Sequence, residues 1–180
     1  SRADREAGGN GYVPISLQLK DYTAVDAREH SIAAGDPVID STIKDRTYKG
    51  KTSKSNSYPD LSTILDTKKA MNGKPVVVAI TISNPMVFGE FEKEVEAIVG
   101  EFGVQTEALL DIVSGKTEPS GLLPLQMPID MSTVEKQFED VPHDMIPYRD
   151  SNGNVYDFGF GLNWKGVIKD ARTEKYNIKK

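Results

Sequence analysis

Asp4, Arg5 and Glu6 set two carboxylates and a guanidinium side by side, and Gly8-Gly9-Asn10-Gly11 follows almost at once. Loops of this polar, glycine-rich composition are mobile and often carry function. An expression scar has the same composition, so the residues alone leave both readings open.

Other stretches imitate known chemistry less well. Tyr48-Lys49-Gly50-Lys51-Thr52 ends like a phosphate-binding loop, but the glycine required five residues before Gly50 is replaced by Asp45. A turn is the better reading. Asp150, Asn152 and Asn154 alternate like the start of a calcium loop, yet the glycine falls at Gly153 and the distal bidentate glutamate is missing. The Asn152-Gly153 pair explains the same residues as a hairpin turn. His30 and His143 have no second ligand at metal spacing, and neither has a serine or cysteine partner suited to a triad. Asp157-Phe158-Gly159-Phe160-Gly161-Leu162-Asn163-Trp164 is dense in aromatics and glycine. It suits a sugar-stacking platform, but the expectation is a C-terminal segment tucking its aromatics onto the sheet.

Composition narrows the function further. With 27 acidic against 22 basic residues and a net charge of −5, the chain lacks the basic excess of a nucleic-acid binder. The absence of cysteine excludes disulfides, thiolate catalysis and sulfur-ligated zinc. No apolar stretch reaches the roughly 18 residues of a membrane span, and no signal peptide is recognisable. The polar opening, Ser1 to Gly11, reads as a cut end, and the Lys-rich tail from Lys175 as solvated.

The elements that must position any site lie mostly between Asp60 and Gln126. Asp60 is a plausible N-cap for a helix carrying Leu61, Ile64, Leu65 and Met71, stopped by Asn72-Gly73. Pro75 to Ile82 is apolar and rich in β-branched residues, as suits a strand covered on both faces. Phe88, Phe91 and Val95 mark a short helix, and Ala97 to Phe102 a second strand. Ala108, Leu109, Ile112 and Val113 mark another helix, closed by Gly115. Leu122 to Met127 reads as an edge strand, since Pro124 cannot donate to a ladder. Ser132 and Glu135 suit a capping box, and Asn152-Gly153 a hairpin. The order predicts an α/β fold: a doubly wound, mostly parallel sheet in an αβα sandwich of flavodoxin-like kind, with a C-terminal hairpin and tail. Residues 1–19 form the polar loop and lead-in, 20–57 an irregular insertion, 58–128 the βαβ core and 129–180 the hairpin and tail.

Between Gly73 and Trp164 the chain resembles the C-terminal αβα domain of glycoside hydrolase family 3. Gly73-Lys74-Pro75-Val76-Val77-Val78 leading to Ser83-Asn84-Pro85-Met86 is similar to a family strand and its Gly/Asn-x-Pro turn. Phe102-Gly103-Val104-Gln105-Thr106-Glu107-Ala108-Leu109 resembles the opening of the next family helix. Glu118-Pro119-Ser120-Gly121-Leu122-Leu123-Pro124 looks like N-P-S-G-R-L-P with Leu123 in place of arginine, and Asp157 to Leu162 like the closing F-G-Y-G-L. The part from Arg28 to Thr52 resembles an insertion of a subgroup found in gut Bacteroidetes.

The resemblance implies a β-glucosidase-type, exo-acting retaining enzyme. Its aspartate nucleophile lies on an N-terminal barrel, and this domain supplies the acid/base loop. On the family pattern Glu6 is the first candidate for the acid/base and Asp4 the second, with Gly9 standing where the family has aspartate; Arg5, Asn10 and Asn84 are candidate sugar contacts. The implied partners are a β-glucoside or oligosaccharide and the missing barrel, with a homo-oligomer open. No metal, cofactor or nucleic acid is called for, and the implied location is periplasmic or otherwise exported. The chain would be an incomplete copy of the domain, inactive alone, with a sheet edge exposed. Two readings of other classes stand beside it: a non-catalytic carbohydrate-binding or interface module, and a flavodoxin-like site for FMN or a nucleotide.

Overall fold

The computed structural model describes residues 16–30, 38–42, 47–55, 57–138, 141 and 143–175. Its centre is a parallel pair, β3 (Val77–Thr81) and β4 (Ala97–Glu101), numbered after β1 (Tyr22–Thr23) and β2 (Thr52–Ser53). The pair runs in register from Val77 opposite Ala97 to Thr81 opposite Glu101. It is extended at both ends by Glu96 N–H to Val76 O (3.0 Å) and Ile82 N–H to Glu101 O (2.8 Å). The fold is therefore α/β, as the sequence predicts.

Helix α1 (Tyr58–Ala70) begins ahead of the expected Asp60 cap, with Ser57 at the cap position. Pro59 explains the earlier start: its fixed φ and missing N–H suit the first turn, where amides lack intrahelical partners anyway. Asp60 instead lies inside that turn and Lys68 and Lys69 in the last, each sign matching the helix dipole. The helix ends where Asn72 and Gly73 adopt φ of 46° and 85°, turning the chain toward β3. Glu96 ties the two elements, taking the Lys68 ammonium from α1 and the Val76 amide (2.6 Å) ahead of β3.

Two 3₁₀ turns, Phe88–Glu90 and Glu92–Glu94, stand in place of the expected helix, with Phe88 opening the first and Phe91 joining the two. The spacing of three between these phenylalanines suits this geometry, because residues i and i+3 eclipse on a 3₁₀ turn. Both rings are buried, 5.8 Å apart, and Val95 packs beside them. The core gathers Leu61, Val76, Val78, Ile82, Met86, Phe88, Phe91, Met127 and Tyr148. The opposite face of β3 differs from expectation. Val77 is 48% exposed, and Ala79 and Thr81 are exposed as well. Among the described residues the apolar run is thus covered on one face only. Helix α2 (Thr106–Val113), closed by Gly115 at φ 75°, buries none of its residues and exposes Leu110 and Val113.

The stretch from Leu122 to Met127 does not join the parallel sheet. Its amides and carbonyls pair instead with the chain at 156–160: Leu123 N–H to Phe160 O, Gly159 N–H to Leu123 O and Met127 N–H to Tyr156 O, at 2.7–2.9 Å. Helix α3 (Met131–Glu135) is capped by Asp130, whose side chain accepts from Thr133 N–H (2.8 Å), so Ser132 is not the cap. The Asn152-Gly153 turn forms, with Arg149 bridging Val155 and Gly153 at φ 83°. A second hairpin, β5 (Leu162–Asn163) with β6 (Gly166–Val167), leads to the short α4 (Ala171–Lys175). The 20–57 stretch contributes the antiparallel pair β1–β2, Tyr22 opposite Ser53 and Thr23 opposite Thr52.

Candidate functional site

In open α/β sheets ligands gather at the carboxyl ends of the strands. Here that edge is formed by the turn after β3, with Asn84-Pro85, and by the loop after β4. Asn84 is half-buried in that turn. After β4, the Glu101 carboxylate accepts from the amides of Gly103 (2.6 Å) and Val104 (2.9 Å). A hydrogen bond from Thr81 and those amides hold its carboxyl below the usual range. Glu101 thus organises its own loop.

The sequence candidates Asp4, Arg5, Glu6 and Asn10 lie outside the described residues. Residues 16–20 are anchored at several points. Val87 N–H donates to Leu17 O (2.9 Å), Leu17 N–H to the Met131 sulfur (3.2 Å), and the Leu19 side chain is buried in the core. The Glu90 carboxylate takes two neighbouring amides, Leu19 N–H on Oε2 and Lys20 N–H on Oε1 (3.1 Å). The segment 16–20 is therefore fastened to the 3₁₀ turn that follows the carboxyl end of β3. Nothing in the spacing of Glu90 marks it in advance, since its partners lie about 70 positions away.

A second polar cluster joins β1 to α3. Glu135, buried at 4% exposure, accepts Asp26 N–H (2.7 Å). Asp26 in turn accepts from Ser132 Oγ (2.6 Å) and faces the Lys136 ammonium at 3.4 Å. The Ser132 bond is the main cause that lowers the Asp26 carboxyl. Tyr22 Oη and Glu135 Oε1 are both buried without a hydrogen bond of ordinary geometry. Burial, with the Glu135 carboxylate close by, pushes the Tyr22 phenol up to about 12. Across the core, burial and a hydrogen bond to Glu92 (2.8 Å) raise Tyr148, and burial raises Tyr156.

Asp150 accepts from Asn152 N–H (2.9 Å), Asn154 N–H (2.8 Å) and Asn154 Nδ2 (2.8 Å), so the residues that imitate a calcium loop brace the hairpin. The aromatic segment divides. Phe160 stacks on Tyr156 with centroids 5.2 Å apart, as the packing expectation has it, whereas Phe158 and Trp164 are 50% and 61% exposed. No helix among the described residues is long and apolar enough to cross a membrane.

Residues 16–164 match the Glycosyl hydrolase family 3 C-terminal domain, and the chain belongs to that family. It is 36% identical over 114 residues to the "Probable beta-glucosidase C" of Aspergillus flavus, covering 61% of this chain and 17% of that protein. With "Beta-glucosidase C" of Emericella nidulans the identity is 34% over 104 residues, 55% of this chain and 16% of the relative. With the "Periplasmic beta-glucosidase/beta-xylosidase" of Dickeya chrysanthemi it is 27% over 117 residues, 65% and 16%. The chain thus spans about a sixth of the length of these curated relatives. No solved structure matches it.

Proposed function

We propose that the chain is the acid/base-bearing part of a retaining, exo-acting β-glycosidase that removes terminal non-reducing β-D-glycosyl residues. The carrying observation is the family match over residues 16–164, together with relatives that are named β-glucosidases. In this reading a barrel elsewhere in the longer protein holds the aspartate nucleophile, and Glu6 is the general acid and then the general base. Asp4 is the second choice for that role. Two carboxyls about 5–5.5 Å apart would flank the bond, one attacking the anomeric carbon while the other protonates the leaving oxygen. Arg5, Asn10 and Asn84 would contact sugar hydroxyls. The fastening of residues 17–20 beside the turn that follows β3 favours a shared rim for the loop and Asn84. Without the barrel the chain has no nucleophile and is inactive.

An exported or periplasmic enzyme fits the name of the Dickeya relative. In the full-length protein, Glu6→Ala is expected to lose several orders of magnitude of kcat/KM on an alkyl β-glucoside while keeping most of it on a dinitrophenyl glucoside, whose leaving group departs without protonation; kcat on the dinitrophenyl substrate falls, because the glycosyl-enzyme has lost its general base. Equal rates for mutant and parent on both would remove Glu6 from the role.

The exposure of Phe158 and Trp164 favours a second reading, in which this end of the domain binds sugar without catalysis. Titration of the isolated chain with cello-oligosaccharides, read by tryptophan fluorescence, tests it directly because Trp164 is the single tryptophan. An unchanged emission across the titration would dismiss it.

A further inference from the structure

We propose that Asn72-Gly73, the turn that carries α1 into β3, is a self-modifying site. The Gly73 amide closes on the Asn72 carboxamide and converts it to aspartate or isoaspartate, a reaction the fold leaves open here and holds back at Asn152-Gly153. This chemistry needs neither glycosidase activity nor any other part of the protein.

The Gly73 nitrogen loses its proton to a solvent base and forms a bond to the Asn72 Cγ. The bond from Cγ to the side-chain nitrogen breaks, and that nitrogen leaves as ammonia. Water then opens the cyclic imide. Cleavage at the backbone carbonyl gives isoaspartate, and cleavage at the side-chain carbonyl gives aspartate. Each conversion consumes a water and releases an ammonia. A glycine after the asparagine favours the attack, because no Cβ crowds its nitrogen.

Asn72-Gly73 and Asn152-Gly153 are equally suited by sequence, and all four residues are exposed. Their amides differ. Among the described residues nothing accepts from the Gly73 N–H. Asn72 sits at φ 46°, a left-handed conformation that an L-residue leaves at little cost. The turn is crossed only by Lys74 N–H to Met71 O (3.1 Å) and a longer bond from Asn72 N–H to Lys69 O (3.3 Å), at an end of α1 where helices fray.

The Gly153 N–H, by contrast, donates to Asp150 O (3.1 Å). Asp150 Oδ1 takes the amides on either side, from Asn152 (2.9 Å) and Asn154 (2.8 Å), and Arg149 holds Gly153 O (2.8 Å). The attacking nitrogen must first leave an ordinary hydrogen bond there, which slows it about fivefold, and the Asp150 brace raises the barrier further. At Asn72 the product matters to the fold. A new carboxylate stands at the C-terminal end of α1, where the helix dipole disfavours an anion, and isoaspartate lengthens the chain between α1 and β3.

The test ages the folded full-length protein in warm, mildly alkaline buffer and follows both pairs by peptide mapping, with isoaspartyl methylation as a second readout. Isoaspartate is expected to accumulate at position 72 at least about fivefold faster than at position 152. The ratio should fall to about one when the same protein is aged in urea, where neither turn is formed. Equal rates in the folded protein, or a faster Asn152, overturn the proposal. An intact Asn72 over a period in which the urea-treated protein is modified at both pairs overturns it as well. A ratio that survives in urea does the same, since the fold would then not be its cause.

Discussion

Gly161 approaches Gly121 so closely that a Cβ on Gly161 would lie 2.2 Å from the Gly121 carbonyl oxygen. This contact joins the closing aromatic segment to the Pro119-Ser120-Gly121 stretch. Arg172 bonds the same stretch through Ser120 O (2.8 Å). The obstacle is backbone, which cannot rotate aside. Gly161→Ala is expected to cost roughly 3 kcal/mol or more by overpacking. Gly121 carries the built-in control, because a Cβ there meets nothing within 4 Å. Gly121→Ala should therefore stay within about 0.5 kcal/mol of the parent. Urea unfolding of the two variants checks the asymmetry, and equal midpoints would refute it.

Tyr22 sets a pH dependence. Its phenol is raised from 10.0 to about 12 in the folded chain. Above pH 10 the unfolded state releases this proton first, so the folded state binds more protons and stability falls with rising pH. The contribution is complete below pH 10 and lost as pH climbs toward 12. Tyr22→Phe should flatten that part of the alkaline slope and leave the part due to Tyr148 and Tyr156. At neutral pH the same change removes a buried hydroxyl that faces Glu135 without a hydrogen bond of ordinary geometry, so a loss of no more than about 1 kcal/mol is expected. Melting curves from pH 8 to 12 decide the matter, and a larger loss at pH 7 would contradict it.

The exposed face of β3 and α2 gives a third expectation. Val77, Leu110 and Val113 are 48%, 58% and 45% exposed, on elements whose sequence is written for burial. If further parts of the longer protein cover this face, Val77→Thr and Leu110→Gln are nearly neutral in the isolated chain, within about 0.5 kcal/mol. In the full-length protein each should cost about 2 kcal/mol, the scale of a buried aliphatic side chain. Comparable effects in the two settings would mean that the face stays open.

The parallel pair was legible because Val76 to Ile82 is apolar and rich in β-branched residues, Ala97 to Phe102 opens on Ala97, Ile98 and Val99, and the two are separated by a crossover of suitable length. The Asn152-Gly153 turn was legible for an equally local reason, its demand for positive φ. What escaped was decided by distant partners. Leu122 to Met127 has the look of a strand, but its pairing with 156–160 depends on where the second hairpin lands. Phe88 and Phe91 fit two helical periods, and the closer 3₁₀ repeat won where both rings could be buried. At the candidate site the family motif drew attention to Glu6, whereas Glu90 and Glu135 act on amides 71 and 109 positions away, which no local pattern encodes.

The central claim, that this chain brings the acid/base carboxylate to a glycosidase, is tested most directly by chemical rescue. Full-length protein carrying Glu6→Ala is given dinitrophenyl β-glucoside and sodium azide, and the products are separated. The account predicts faster turnover with azide and accumulation of the β-glucosyl azide, because a small anion can attack the glycosyl-enzyme once no carboxylate stands in its way. Glucose alone at an azide-independent rate would contradict the assignment of Glu6.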